Sequence, residues 1–140
     1  MRDKKLPIET KSFLETQKIS GILAQEILSS IQKQKKAQVI VLSGDLGAGK
    51  TVFVQGFAKK LKIKQKITSP TFVIFKKYKF KQSVNNFGWL YHFDCYRLKD
   101  EKDVLSLGFE EFLKEKNAII MIEWPEKIKK VLPKNSLFEA

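Results

Sequence analysis

Apolar residues recur at helical spacing in two segments of the chain. Between positions 15 and 35 they stand three or four residues apart, at Ile19, Leu23, Ala24, Ile27, Leu28 and Ile31. A helix that turns once in about 3.6 residues would carry them along one side, and lysines and glutamines would cover the other. From position 50 to about 61, Phe53, Phe57 and Leu61 share a face in the same way. We therefore predict a helix in each segment.

Short apolar runs mark the predicted strands. The runs VIVL at 39–42 and AIIMI at 118–122 are apolar throughout, which is typical of strands buried on both faces of a parallel sheet. Residues 72–80 and 89–96 flank a turn-like sequence at 85–88, so they could pair as a hairpin and make the sheet mixed. Buried strands that alternate with helices predict a three-layer α/β fold with a mixed, mostly parallel sheet.

Smaller elements complete this prediction. Asp100 or Asp103 could cap a helix that reaches about Leu113, and a short basic helix would come after the last buried strand. Residues 136–140 have the pattern of a final extended segment. No internal repeat or linker divides the sequence, so we expect a single domain over residues 1–140.

Composition narrows the class of protein. Hydrophobic residues make up 43% of the 140 residues and charged residues 30%, and both values are ordinary for a globular protein. No apolar run approaches the roughly 18 residues needed to cross a bilayer, and the N-terminal sequence lacks the apolar core of a signal peptide. Cys95 is the only cysteine, which excludes an internal disulfide. We therefore expect a cytoplasmic protein with no membrane partner.

The formal net charge of +12 permits two interpretations. Such a charge is common in proteins that bind nucleic acid, but all except two of the 27 basic residues are lysine, as a lysine-rich genome would produce. One basic run has a strand-like pattern that would place Lys77, Lys79 and Lys81 on one face and Lys76 on the other. We predict that this stripe is a docking surface for RNA or an acidic partner.

The clearest chemical signal is GDLGAGKT at 44–51, which matches the phosphate-binding loop G-x-x-x-x-G-K-[ST] and lies between a predicted strand and a predicted helix. Backbone N–H groups of the loop and the helix N-terminus would attract the phosphates. Lys50 would reach the β- and γ-phosphates, and the Thr51 hydroxyl would bind Mg²⁺. Because no Asn-Lys-x-Asp segment for guanine is present, we expect the nucleotide to be ATP.

Phosphate chemistry in this class also requires an acid at the end of a neighbouring buried strand. Two acids meet the condition, because Glu123 follows IIMI at 119–122 and Asp94 follows LYHF at 90–93. The four residues before Glu123 are all apolar, whereas the four residues before Asp94 include His92, the only histidine in the sequence. We predict a catalytic role for both acids and expect His92 to be structural.

Four blocks of the sequence resemble the bacterial TsaE family, whose members are small ATPases required for threonylcarbamoyladenosine synthesis on tRNA. The blocks are GDLGAGKT at 44–51, TSPTF at 68–72, YHFDCYRL at 91–98 and IEWPE at 122–126, in the order and spacing of the family. The resemblance covers roughly residues 15–133. The last three blocks are the specific ones, since a phosphate-binding loop occurs in many other families.

The resemblance implies a P-loop NTPase-like fold and a role for each site residue. Lys50, Asp94 and Glu123 would be catalytic, and Thr51 and Glu123 would bind the metal. Residues 69–71 would form a switch-like loop. The residues expected to contact ATP are Thr16, Leu46, Gly47, Ala48, Gly49, Lys50, Thr51 and Trp124.

The resemblance also implies a function. The protein would be the ATP-hydrolysing component of the machinery that makes N6-threonylcarbamoyladenosine at position 37 of tRNAs. It would act with a threonylcarbamoyl transferase complex, which performs the transfer and is reset by ATP hydrolysis, so that contact with tRNA would be indirect. Many family members continue with further strands and a basic residue near the nucleotide, whereas this sequence ends at Ala140.

Two other functions are compatible with the phosphate-binding loop. A small-molecule kinase would share it, but such kinases usually have a lid and an acceptor pocket rich in arginine, and this sequence has only Arg2 and Arg97. The second alternative is an adaptor protein that binds nucleotide without hydrolysing it. Phosphate release from ATP, measured with and without partner proteins, separates these functions.

Overall fold

A computed structural model describes residues 12–42, 49–68, 74–83 and 86–133 of the chain. The expected nucleotide contacts Leu46, Gly47 and Ala48 lie outside these ranges. The expected switch-like loop at 69–71 and the extended segment at 136–140 also lie outside them. No helix within the described ranges is long and apolar enough to cross a bilayer.

Two helices form where the apolar spacing predicts them. Helix α1 spans Phe13–Ser30, and the side chain of Ser12 caps it by accepting a hydrogen bond from the N–H of Glu15 at 3.1 Å. A short 3₁₀ helix, Ile31–Lys33, continues it. Helix α2 spans Gly49–Lys60. The predicted apolar faces are largely buried, with Leu23, Ala24, Ile27, Ile31, Phe53, Phe57 and Leu61 in the core.

Four strands form one mixed sheet. Strands β1 (Gln38–Leu42), β2 (Phe75–Ser83), β3 (Asn86–Asp94) and β4 (Ala118–Glu123) lie side by side in the order β1-β4-β3-β2. Strand β4 pairs in parallel with both β1 and β3, and β2 pairs with β3 in antiparallel orientation. The hairpin and the mixed, mostly parallel sheet are therefore confirmed.

Apolar clusters on both faces of the sheet establish the three layers. One cluster joins α1 and α2 to one face. The other joins two short helices, α3 (Lys102–Leu105) and α4 (Phe109–Leu113), together with the 3₁₀ helix Pro125–Val131, to the opposite face. Strand β4 is buried along its whole length because it lies between two strands and between two helical layers.

Two local predictions are wrong. Residues 86–88 are not a turn, since β3 begins at Asn86; Gly88 is buried in the strand, where a Cβ would lie 2.7 Å from the carbonyl oxygen of Asn117. The single helix expected before Leu113 is split, because Gly108 adopts a left-handed φ of 90° between α3 and α4. Asp100 does accept a hydrogen bond from the N–H of Lys102, at 2.9 Å.

Helices α1 and α2 approach each other closely at Gly56. A Cβ at this position would lie 2.8 Å from the Cα of Gln17 and 2.9 Å from its carbonyl oxygen. These are backbone atoms, so they cannot rotate away. A glycine in α2 therefore sets the spacing between α2 and α1.

We expect Gly56→Ala to lower the free energy of unfolding by about 1–3 kcal/mol, because the added methyl group overpacks the helix contact. Gly21→Ala is the matched control: a Cβ at Gly21 would meet no atom within 4 Å, and the better helix propensity should stabilise the protein by about 0.5–1 kcal/mol. Urea unfolding measures both changes. A similar stabilisation by both substitutions would contradict the close contact.

Candidate functional site

The carboxyl ends of three parallel strands meet at one edge of the sheet. In the strand register, Leu42 of β1 lies beside Glu123 of β4, and Glu123 lies beside Asp94 of β3. Neighbouring strands are about 4.8 Å apart, so the two predicted catalytic acids are adjacent although 29 positions separate them in the sequence. This is the edge at which α/β proteins bind ligands.

Helix α2 presents its N-terminus to the same edge. It begins at Gly49, and Lys50 and Thr51 occupy its first turn. The Nζ atom of Lys50 lies 3.9 Å from the ring centroid of Trp124, the residue that directly follows Glu123. A cation–π contact of this kind holds the ammonium group over the ring face. The lysine of the phosphate-binding loop is therefore beside the strand that ends in Glu123.

Trp124 has an unusual backbone conformation that directs its ring. Its φ of 59° and ψ of 60° are left-handed, which costs a residue with a Cβ about 1–3 kcal/mol. Its N–H still donates to the carbonyl oxygen of Leu42 at 3.3 Å. The ring of Tyr96 packs against the Trp124 ring with centroids 5.1 Å apart. Tyr96, Trp124 and Lys50 thus form a row beside the acids.

The carboxylate of Glu123 is held by a histidine. The Nε2 atom of His92 lies 2.5 Å from Oε2 of Glu123, and both side chains are buried. His92 is fully buried on β3, two residues before Asp94. A buried carboxylate is costly unless a hydrogen-bond donor faces it, and His92 supplies that donor. This buried, hydrogen-bonded ring agrees with the expectation of a structural histidine, whereas its partner, Glu123, was not predicted.

Asp94 and its neighbour Cys95 differ in exposure and chemistry. Asp94 is partly exposed, and its Oδ1 accepts a hydrogen bond from the N–H of Tyr96 at 3.0 Å. Cys95 is fully buried. Burial, reinforced by the carboxylates of Asp94, Glu123 and Glu126, raises the pKa of the Cys95 thiol to about 12. This thiol therefore stays protonated at neutral pH.

The side-chain oxygen atoms at this edge of the sheet can be compared with the ligands that Mg²⁺ requires. Within the described ranges, no group of three or more His, Cys, Asp and Glu side chains is arranged to hold a metal by itself. Mg²⁺ bound together with a nucleotide needs only one or two carboxylates, with phosphates and water completing the shell. Glu123, Asp94 and the Thr51 hydroxyl suit that arrangement.

Thr16 lies toward the same end of the molecule. Its hydroxyl donates to the carbonyl oxygen of Ser12 at 3.0 Å in the first turn of α1. Beyond the other end of α1, Nε2 of Gln34 donates to the carbonyl oxygen of Ala118, at the start of β4. An 18-residue helix is about 27 Å long, so Thr16 is on the side of the sheet edge that carries Glu123. Its contact with a nucleotide stays a prediction.

These features define a class of protein. A helix that begins within GDLGAGKT, next to strand-end acids on a mostly parallel sheet, characterises a P-loop NTPase-like fold. The crystal structure of Bacillus subtilis YdiB is similar, with a TM-score of 0.64 and 30% sequence identity over 96% of this chain and 74% of that chain. The family is also clear: the chain belongs to the TsaE family, because the family model "Threonylcarbamoyl adenosine biosynthesis protein TsaE" matches residues 13–139.

Relatives from several bacteria support the assignment, and each is named tRNA threonylcarbamoyladenosine biosynthesis protein TsaE. The protein of Rickettsia felis is 40% identical over 84% of this chain and 61% of its own length. The protein of Bacillus subtilis is 41% identical over 74% of this chain and 60% of its own length. The protein of Nostoc sp. is 40% identical over 85% of this chain and 70% of its own length. The chain thus matches about three fifths of the length of the first two relatives.

Proposed function

We propose that this protein binds and hydrolyses ATP as a component of the machinery that makes N6-threonylcarbamoyladenosine at position 37 of tRNAs. The observation that carries the proposal is the meeting of Lys50, Glu123 and Asp94 at one edge of a sheet whose sequence and fold are those of the TsaE family. Its relatives are named for threonylcarbamoyladenosine biosynthesis. A cytoplasmic location is part of the same proposal.

The residues divide the work by position. Lys50 neutralises charge on the β- and γ-phosphates, and backbone N–H groups from Leu46 to Thr51 hold the phosphate oxygens. Thr51 and Glu123 hold Mg²⁺, which screens the phosphate charge when bound. Asp94 orients the attacking water or supports the metal. Trp124 covers the site, and Thr16 approaches the nucleotide base.

A second surface is suited to the partner complex. The side chains of Lys77, Lys79 and Lys81 are exposed on one face of β2, whereas Lys76 lies on the other face and donates to the Thr68 hydroxyl at 2.6 Å. This arrangement is the one the alternation predicts. We call Lys77, Lys79 and Lys81, with the aromatic rings of Phe87 and Trp89, the lysine–aromatic surface.

Aromatic rings hold two of these lysines in place. The Nζ atom of Lys77 lies 4.8 Å from the ring centroid of Trp89, and that of Lys79 lies 4.4 Å from the ring centroid of Phe87. Along β3, Trp89 lies five residues, or about 17 Å, before Asp94, and Tyr91, which pairs with Lys77, lies three residues before it. The lysine–aromatic surface therefore does not include the residues proposed to bind the nucleotide.

We expect Lys50→Ala to weaken ATP binding by about 1.5–3 kcal/mol, or roughly tenfold or more, because a charge-assisted bond to the phosphates is lost. Hydrolysis should be abolished and the fold unchanged. Lys59→Ala, at the exposed end of the same helix, is the control and should bind ATP normally. Calorimetry measures the affinities. An unchanged ATP affinity of the Lys50 variant would show that Lys50 does not bind the phosphates.

Glu123→Gln should reduce ATP hydrolysis more than ATP binding, because the amide keeps the size of the side chain but loses the charge that acts on the metal or water. Phosphate release, with and without the transferase complex, and calorimetry give the two quantities. Asp94→Asn is measured in parallel. Equal losses in binding and hydrolysis would indicate a structural role for Glu123, and no loss would assign the metal to Asp94.

Replacing Lys77, Lys79 and Lys81 together by glutamine should leave ATP affinity unchanged and weaken association with the tRNA-loaded transferase complex. The wild-type association should weaken as salt rises, since the attraction is electrostatic. The control is glutamine at Lys59, Lys60 and Lys64, which removes the same charge from another exposed region. If the variant at Lys77, Lys79 and Lys81 binds the complex as tightly as the wild type at low salt, the lysine–aromatic surface is not the docking site.

A further inference from the structure

The contact between His92 and Glu123 links a fully buried histidine to the predicted metal-side acid. The two residues lie on neighbouring strands, and His92 lies beside Met121 in the register, two residues before Glu123. Side chains two residues apart on a strand share a face, so His92 and Glu123 both face the layer that contains α2. Their side-chain atoms Nε2 and Oε2 are 2.5 Å apart.

The surroundings of the ring decide which nitrogen donates. Nδ1 of His92 is buried and has no hydrogen-bond partner within the described part of the chain. A proton on Nδ1 would leave a buried donor unpaired and would place a nitrogen lone pair against the carboxylate oxygen. A proton on Nε2 satisfies the carboxylate and leaves only a lone pair without a partner. The geometry therefore favours donation from Nε2 to Glu123.

We propose that His92 is a positioning residue that holds the Glu123 carboxylate in the orientation needed to act on Mg²⁺ or water. The inference rests on the proposed function, because it assigns His92 a task only if Glu123 is catalytic. His92 itself lies within the sheet, below the strand ends, and acts through Glu123. A donor behind a metal-side ligand fixes its orientation and raises its effectiveness, and removal of such a partner typically costs about 10–100-fold in metal affinity or activity.

The test compares substitutions that keep or remove the donor. His92→Leu removes it, and His92→Gln places an amide N–H near the position of Nε2. We expect His92→Leu to lower kcat for ATP hydrolysis by about 10–100-fold at saturating ATP and Mg²⁺. His92→Gln should recover most of the loss. Met121→Leu, a change in the residue beside His92 that leaves the donor intact, is the control and should retain wild-type kcat.

A binding measurement supplies a readout apart from turnover. Affinity for ATP without Mg²⁺ should be the same in the wild type and His92→Leu, whereas the gain in affinity on adding Mg²⁺ should be smaller in the variant. In the Glu123→Gln background, His92→Leu should cause no further loss of either kcat or Mg²⁺-dependent affinity. If His92→Leu does not fold, His92→Asn replaces it, because its shorter amide does not reach Glu123.

Two outcomes separate failure of this inference from failure of the proposed function. A folded His92→Leu variant with wild-type kcat and wild-type Mg²⁺ dependence would overturn the positioning role while leaving the ATPase intact. If the wild type itself does not hydrolyse ATP with the transferase complex present, the proposed function fails. In that case a double-mutant cycle on unfolding stability decides whether His92 and Glu123 are coupled, and additive effects would overturn the contact too.

Discussion

The parallel pairing of β4 with both β1 and β3 brings Leu42, Glu123 and Asp94 to one edge of the sheet. Residues far apart in the sequence become neighbours there because parallel strands all end on the same side. A shift of one residue in either pairing would move Glu123 to the opposite face, away from α2. The candidate site therefore depends on the register of the central strand, which is buried along its whole length.

The polar groups of the candidate site lie at the end of an apolar strand, and this placement links the proposed catalysis to stability. Four apolar residues precede Glu123 in β4, and Glu123 itself is buried. A carboxylate in such surroundings requires a donor, and the neighbouring strand supplies His92. Trp124 then takes a left-handed conformation and places its ring under Lys50. The edge is thus shaped by contacts between strands as well as by the first turn of α2.

The molecule separates two kinds of surface along β3. Asp94 ends the strand at the edge proposed to bind the nucleotide, and Phe87 and Trp89 lie near its beginning beneath two lysines. Lysines on an edge strand also discourage pairing with other chains, a role that needs charge alone. The cation–π contacts also hold the ammonium groups of Lys77 and Lys79 at defined positions, which that role does not require. The relatives of this family are named for a tRNA modification.

The sequence by itself determined the main helices, the buried strands, the mixed sheet and the family. Those properties follow from apolar spacing along the chain and from short motifs, both of which are local. Local patterns failed at Gly88, which pairs with Phe80 in the β2–β3 hairpin, and at Gly108, whose left-handed backbone separates α3 from α4. Only the tertiary structure decided that His92 holds Glu123 and that Trp124 lies under Lys50. Both contacts join elements distant in sequence, and strand order and register set such contacts through packing of the whole chain.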